Sequence, residues 1–161
     1  VLHRPMGSCS KGVVLAVARR VHATYNRGMN CPTCKHPLMV LEFERVEVDH
    51  CVACGGVWLD AEEIELLFGE PHEAELFLNK LAPAQAEKSR KLRCPISNTP
   101  MQKGTVDTAH GAVTYDYSPH GLWFDRGELS QVLAAGVIES GSEPLVAWLR
   151  EIFPMPEQAH G

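Results

Sequence analysis

Cys31-x2-Cys34-x16-Cys51-x2-Cys54 constrains this chain more than any other feature of its sequence. Two tight turns of this kind can each present a pair of thiolates to one tetrahedral ion, with zinc–sulfur bonds of about 2.3 Å. Pro32 stiffens the first turn, and Gly55 and Gly56 free the backbone after the second, so that N–H groups can point at sulfur. Two disulfides or a redox CxxC are the competing readings. A thioredoxin-type role calls for one CxxC at a helix N-terminus after a strand, not for two facing pairs. The expected ligands of one structural Zn²⁺ are therefore Cys31, Cys34, Cys51 and Cys54. Four cysteines close the coordination shell and leave no position for a reactive water. Four thiolates around Zn²⁺ carry a formal net charge of −2, which Lys35, Arg45, His36 and His50 are expected to soften. Size adds a reason for a metal: a unit of roughly 40 residues is near the limit at which a core alone holds a domain. Structural zinc contributes about 10–16 kcal/mol of apparent binding energy in small finger peptides.

Beyond Met29 the chain repeats itself. Cys31-Pro-Thr-Cys34 with Pro37-Leu38 corresponds to Cys94-Pro-Ile-Ser97 with Pro100-Met101. Gly56-Val-Trp58-Leu-Asp60 corresponds to Gly121-Leu-Trp123-Phe-Asp125. Leu41, Phe43, Val46 and Val48 alternate loosely with polar residues, as do Val113, Tyr115 and Tyr117, so each copy is expected to contain half-buried strands. Asp60 with Glu63, and Asp125 with Glu128, have the spacing of a capping box at the start of a helix. Gly69 and Gly136 are the expected stops. Further helices are expected over 71–81 and 142–153, with a frayed tail after Pro154.

The stretches "MNCPTCKHPL" and "VDHCVACGGVWLDAEEIELL" resemble the TFIIB-type zinc-finger family of small bacterial zinc-ribbon proteins. That family's pattern is CPxC followed by CxxCGGxWLDxxELxxL, and Glu63-Ile64 stands here for Glu-Leu. "HGLWFDRGELSQVL" is similar to the diverged second copy of longer members. The resemblance covers about 40 residues. It implies a zinc-ribbon fold and zinc at Cys31, Cys34, Cys51 and Cys54; it brings no defined activity, and a transcription role is an analogy of fold. The expected fold is thus small α+β: tandem zinc-ribbon repeats, each with short antiparallel strands and a capped helix. The division is a basic leader (1–28), a zinc ribbon (29–69), a helical spacer (70–93), a degenerate metal-free ribbon (94–136) and a C-terminal helix with tail (137–161).

In the second copy the ligand positions read Cys94, Ser97, Asp116 and Pro119. Ser and Pro are poor zinc ligands. Packing of Tyr115, Tyr117, Trp123 and Phe124 is expected to replace the metal, since an aromatic side chain buries about 150–250 Å². The competing reading is an open site built from Cys94, Asp116 and His120, with His110 near, the one place where an enzyme activity could reside.

Charge narrows the partners. Residues 1–28 hold five basic residues and no acid, which leaves ten basic against twenty acidic residues in the rest. Such an acidic body disfavours nucleic acid, although Lys88, Arg90, Lys91 and Arg93 form a basic cluster. The longest apolar run, residues 13–18 (VVLAVA), is far short of the roughly 18 residues that span a bilayer. Two readings of the leader compete: translated sequence upstream of a natural start at Met29, or a targeting peptide. Without a secretion signal, paired CxxC units point to a reducing, cytoplasmic setting. The function expected is a non-catalytic protein-interaction or regulatory module, acting on a protein partner or by self-association. Nucleic-acid binding in the manner of a transcription factor is the alternative.

Overall fold

The computed structural model of the chain describes residues 22–68, 82–83, 91–109, 111–136 and 143–155. Within them a small α+β unit is built on one curled antiparallel sheet. The strands are β1 (His22–Asn30), β2 (Pro37–Phe43), β3 (Val46–His50), β4 (Val57–Asp60), β5 (Ala82–Pro83), β6 (Gln102–Thr108), β7 (Gly111–Ser118) and β8 (Gly121–Phe124). Their order is β1-β2-β3-β4-β8-β7-β6-β5, so each half runs outward in reverse chain order from a central seam. There β4 lies antiparallel to β8 with Val57 opposite Phe124, Trp58 opposite Trp123, Leu59 opposite Leu122 and Asp60 opposite Gly121.

The first three pairs of the seam are apolar on both strands because they are covered on both faces. Val57, Leu59, Leu122 and Phe124 point one way, into a core shared with the helices α1 (Ala61–Phe68), α2 (Glu128–Ala134) and α3 (Glu143–Ile152). Trp58 and Trp123 point the other way and pack with Cys31, Cys51, Leu38, Leu92, Cys94 and Met101. The expected alternation holds. Leu41, Phe43, Val46, Val48, Val113 and Tyr115 reach the helical core, joined by partly buried Tyr117. α3 lies across the same face through Leu145, Val146, Trp148 and Leu149, and Trp148 stacks on Phe43 at 5.0 Å between ring centroids.

The first capping box forms as written in the sequence. Glu63 N–H donates to Asp60 Oδ1 (2.9 Å) and Asp60 N–H donates to Glu63 Oε2 (2.8 Å). The second forms only in half. Asp125 N–H reaches Glu128 Oε2 at 2.7 Å, but the Asp125 carboxylate is engaged elsewhere. Its Oδ1 accepts from Trp123 Nε1 (3.0 Å) and from Thr33 Oγ1 (3.2 Å). α2 consequently begins at Glu128, after Gly127 in the left-handed region (φ 85°), with no side-chain cap. Gly136 (φ 67°) follows its end as expected, and Arg150 Nη2 donates to Leu133 O at 2.7 Å, a cation at a helix C-terminus. β1 was not anticipated: it begins inside the basic leader and pairs with β2 from His22 opposite Glu42. The expected helix over 71–81, the stop at Gly69 and the start at Ser142 lie outside the described residues.

Candidate metal centre

The four cysteines come together from two turns. Cys31 follows β1 directly, and Cys51 follows β3. In the first turn Cys31 N–H donates to His36 O (2.8 Å) and Lys35 N–H to Cys31 O (3.0 Å), with Lys35 left-handed at φ 66°. The second repeats the pattern: Cys51 N–H to Gly56 O (2.9 Å), Gly55 N–H to Cys51 O (2.7 Å), Gly55 at φ 79°. Such a turn curls the backbone around its first sulfur, and Cys34 N–H lies 3.4 Å from Cys31 Sγ.

All four sulfurs lie within 4.8 Å of one another. Cys31 Sγ is 3.5 Å from Cys54 Sγ, and Cys34 Sγ is 3.4 Å from Cys51 Sγ. A disulfide bond of about 2.05 Å is far shorter, whereas a tetrahedron of 2.3 Å zinc–sulfur bonds has edges of about 3.8 Å. The donor set therefore fits one zinc ion. Protonation chemistry agrees. Burial pushes the Cys31 thiol up to about 11, and burial with neighbouring sulfurs pushes Cys54 up strongly. Burial opposes ionisation of Cys34 too, but hydrogen bonds from His36, Cys51 and Cys31 outweigh it and bring that thiol down to about 6. Four adjacent thiols cannot all ionise unless a cation shares their charge.

The surroundings differ in part from expectation. His36 does contact the site, through its backbone and side-chain hydrogen bonds to Cys34. His50 Nδ1 donates to Gly56 O at 3.2 Å, and burial holds its imidazole below the usual value. Lys35 turns its ammonium onto Pro32 O (2.8 Å). Arg45 is too remote to soften the charge. It sits in the turn after β2, a seven-residue strand from the cysteines, or about 20 Å at 3.3 Å per residue. A basic residue that does reach the cysteine turns is Arg126, whose methylene stem covers Gly55; a Cβ there would stand 2.9 Å from Arg126 Cγ. Gly56 matters less for freeing the backbone than for room: a Cβ on it would collide with the Trp123 ring. Residues 123–126 thus clasp both cysteine turns, by the Trp123 ring on Gly56, Asp125 on Thr33, and Arg126 on Gly55. No local pattern in the sequence marks Thr33 or Arg126, because their partners are remote in the chain.

At the second set of positions, Cys94 N–H donates to Thr99 O (2.9 Å) and Asn98 N–H to Cys94 O (2.9 Å), with Asn98 at φ 56°. Ser97 N–H lies 3.5 Å from Cys94 Sγ, while the Ser97 hydroxyl pairs with Thr99 Oγ1 at 2.8 Å. Burial raises the Cys94 thiol, but hydrogen bonds from Ser118 and Ser97 outweigh it and leave the thiol below its ordinary value. Asp116 is buried and paired with Lys103 Nζ at 3.1 Å. His120 is exposed, and its carbonyl accepts Ala61 N–H at the start of α1. Cys94, Asp116 and His120 do not converge. Among the described residues, the four ribbon cysteines are the one group of metal-ligating side chains that does; His110 lies outside them.

Residues 30–68 match the family described as transcription factor zinc-finger, the TFIIB-type zinc ribbon. That segment is similar to a TFIIB-type zinc ribbon. It ends where α1 ends, so the match takes in both cysteine turns, Trp58 and the capping box. No curated protein and no solved structure matches the chain.

Proposed function

We propose that this chain is a non-catalytic, zinc-stabilised module for protein interaction or regulation. In this reading residues 94–136 are a metal-free copy of the ribbon, joined to the zinc-binding one across β4 and β8. The observation that carries the proposal is the closed set of four thiols in two turns of the same hydrogen-bond pattern. Such a site holds structure and offers no open coordination position. The likeness of the turns at Cys31 and Cys94, and the opposition of Trp58 to Trp123, support the duplicated-ribbon reading. The interaction reading is supported by apolar side chains displayed at the turn tips. Val52 is 55% exposed and Ile96 is 50% exposed, and each is available for contact with a partner. No helix among the described residues is long and apolar enough to cross a membrane.

Metal analysis is the first test. One zinc per chain, lost in Cys31→Ser or Cys54→Ser, is expected; two zincs would reopen the second site, and none would end the proposal. Affinity capture from native cells with wild type and with Val52→Glu then tests the partner. Loss of a specifically retained protein in the variant is expected, while identical retention speaks against the turn tips.

Nucleic-acid binding is the second reading, supported by the family's description and by the basic cluster near residue 90. Lys88 and Arg90 lie outside the described residues, and Arg93 spends a guanidinium nitrogen on Asn98 O at 2.7 Å. A gel shift with salt titration decides, because phosphate contacts weaken steeply with salt.

A further inference from the structure

Beside the metal centre lies a cavity of ≈ 620 Å³ that the ribbon's structural role does not use. One wall is the second cysteine turn, with Val52, Ala53 and Gly55; the other comes from the start of α2 and the residues after α3. The volume falls in the range of small-molecule sites, about 300–1,000 Å³. Its lining is mixed: polar surface is matched by the apolar side chains of Val52, Ile152, Phe153 and Met155, with the Phe153 ring set edge-on to His50 at 5.2 Å. Two of the four large apolar side chains exposed among the described residues, Val52 and Met155, stand at this one place.

The charge at the site is equally specific. Arg126 lines the cavity and makes no hydrogen bond or ion pair among the described residues. Ser130, the buried hydroxyl of the lining, is already bonded to Pro154 O at 3.2 Å. His50 is bonded to Gly56 O. The cavity thus offers one planar cation with no partner among the described residues, beside the apolar side chains of Ile152, Phe153 and Met155. A guanidinium matches a carboxylate in two parallel hydrogen bonds. A dianion such as a phosphate monoester is disfavoured, because one cation cannot balance it beside a zinc-loaded four-thiolate centre of formal charge −2.

We infer that this cavity binds a monocarboxylate with an apolar body, the carboxylate on Arg126 and the body against Ile152, Phe153 and Met155. The carboxylate can belong to a free organic acid or to the C-terminal residue of a polypeptide. The inference is independent of the interaction proposal, since it does not require the exposed turn tips to meet a protein surface. Because Val52, Ala53 and Gly55 belong to the metal-holding turn, the wall they form exists only while that turn is closed.

The test is a titration of the full-length, zinc-loaded, ¹⁵N-labelled protein, followed by amide shifts. The probes are octanoate, octanamide, and N-acetyl-Ala-Ala-Leu as free acid and as amide. Saturable shifts at Val52, Ala53, Gly127 and Phe153 are expected with the acids. The amides should bind roughly tenfold more weakly, the loss of one charge-assisted pair. Arg126→Gln should bring the acids to the level of the amides, while Arg126→Lys retains a clear preference for acids. Zinc content and spectral dispersion of both variants check that the fold is kept. Tighter binding of the peptide acid assigns the site to a polypeptide C-terminus, and tighter binding of octanoate assigns it to a free acid. Absence of saturable shifts with either acid, equal binding of acids and amides, or indifference to Arg126→Gln would overturn the inference.

Discussion

The turn that begins at Cys31 and the turn that begins at Cys94 have the same backbone. Each donates from residue i to the carbonyl at i+5 and closes from i+4 back to i, with a left-handed residue, Lys35 or Asn98, at i+4. One turn brings two cysteines to the four-thiol cluster, and the other holds a cysteine that joins no such cluster among the described residues. The turn is therefore a property of the chain, not a product of the ion. What differs is the opposite side. At Cys51 the chain makes a second such turn, whereas β7 runs on to Ser118 and buries Asp116 against Lys103. A metal is needed where two cysteine turns face each other and must share charge. Where strand faces turn, the same space holds an ion pair and aromatic packing.

That contrast is sharpest for matched cysteine substitutions. Cys51→Ser should release zinc and unfold the ribbon, since structural zinc is worth on the order of 10 kcal/mol in small ribbons. Cys94→Ser should keep one zinc and lose only about 1–2 kcal/mol for a polar atom in a small buried site. Metal content with urea denaturation measures both, and equal losses would erase the distinction. Next come the tryptophans. Trp123→Ala should cost about 3–5 kcal/mol, and it alone should also quicken zinc loss to a chelator, because Trp123 rests on Gly56 of the metal-holding turn. Trp58→Ala should match it in stability while changing the chelation rate less.

A third prediction concerns pH. Burial, with Asp60, Asp49 and Glu47 nearby, pushes the Glu63 carboxyl up to about 9. The folded chain therefore holds this proton more tightly than the unfolded one, whose value is about 4.3. The associated stability is complete below that lower value and disappears as pH rises through about 9. Glu63→Gln, which still accepts the Asp60 N–H, should lose at least ~1 kcal/mol less than wild type between pH 6 and 9. Urea midpoints of the zinc-loaded proteins at the two pH values provide the check. The smallest effect is expected from Thr33→Val, about 0.5–1.5 kcal/mol for one partly buried hydrogen bond to Asp125. Freed of Thr33, Asp125 still holds Trp123, so zinc content should not change.

The sequence made legible what depends on near neighbours. The cysteine spacing, the box of Asp60 with Glu63, the alternation at Val113 and Tyr115, the stop at Gly136 and the last helix all have their causes within a few residues. What stayed hidden is set by distant partners. Asp125 has the spacing of a cap, yet its carboxylate goes to Trp123 and to Thr33, so the second box is half made. Arg45 had the right charge in the wrong place, while Arg126 held the right place without a motif to announce it. β1 lies in a basic stretch with no strand alternation; its pairing comes from the bare edge of β2.

The position of the β4–β8 seam bears on how the molecule assembles. Residues 61–120 lie between the paired strands, so joining them closes the longest loop in the sheet, and long loops are entropically slow to close. The hairpins on either side need only local contacts. The sheet is therefore expected to zip from its flanks toward its middle. The two seam tryptophans, Trp58 and Trp123, are then among the last side chains to leave water, and in a Trp148→Phe background their fluorescence should report the final step of folding rather than the first.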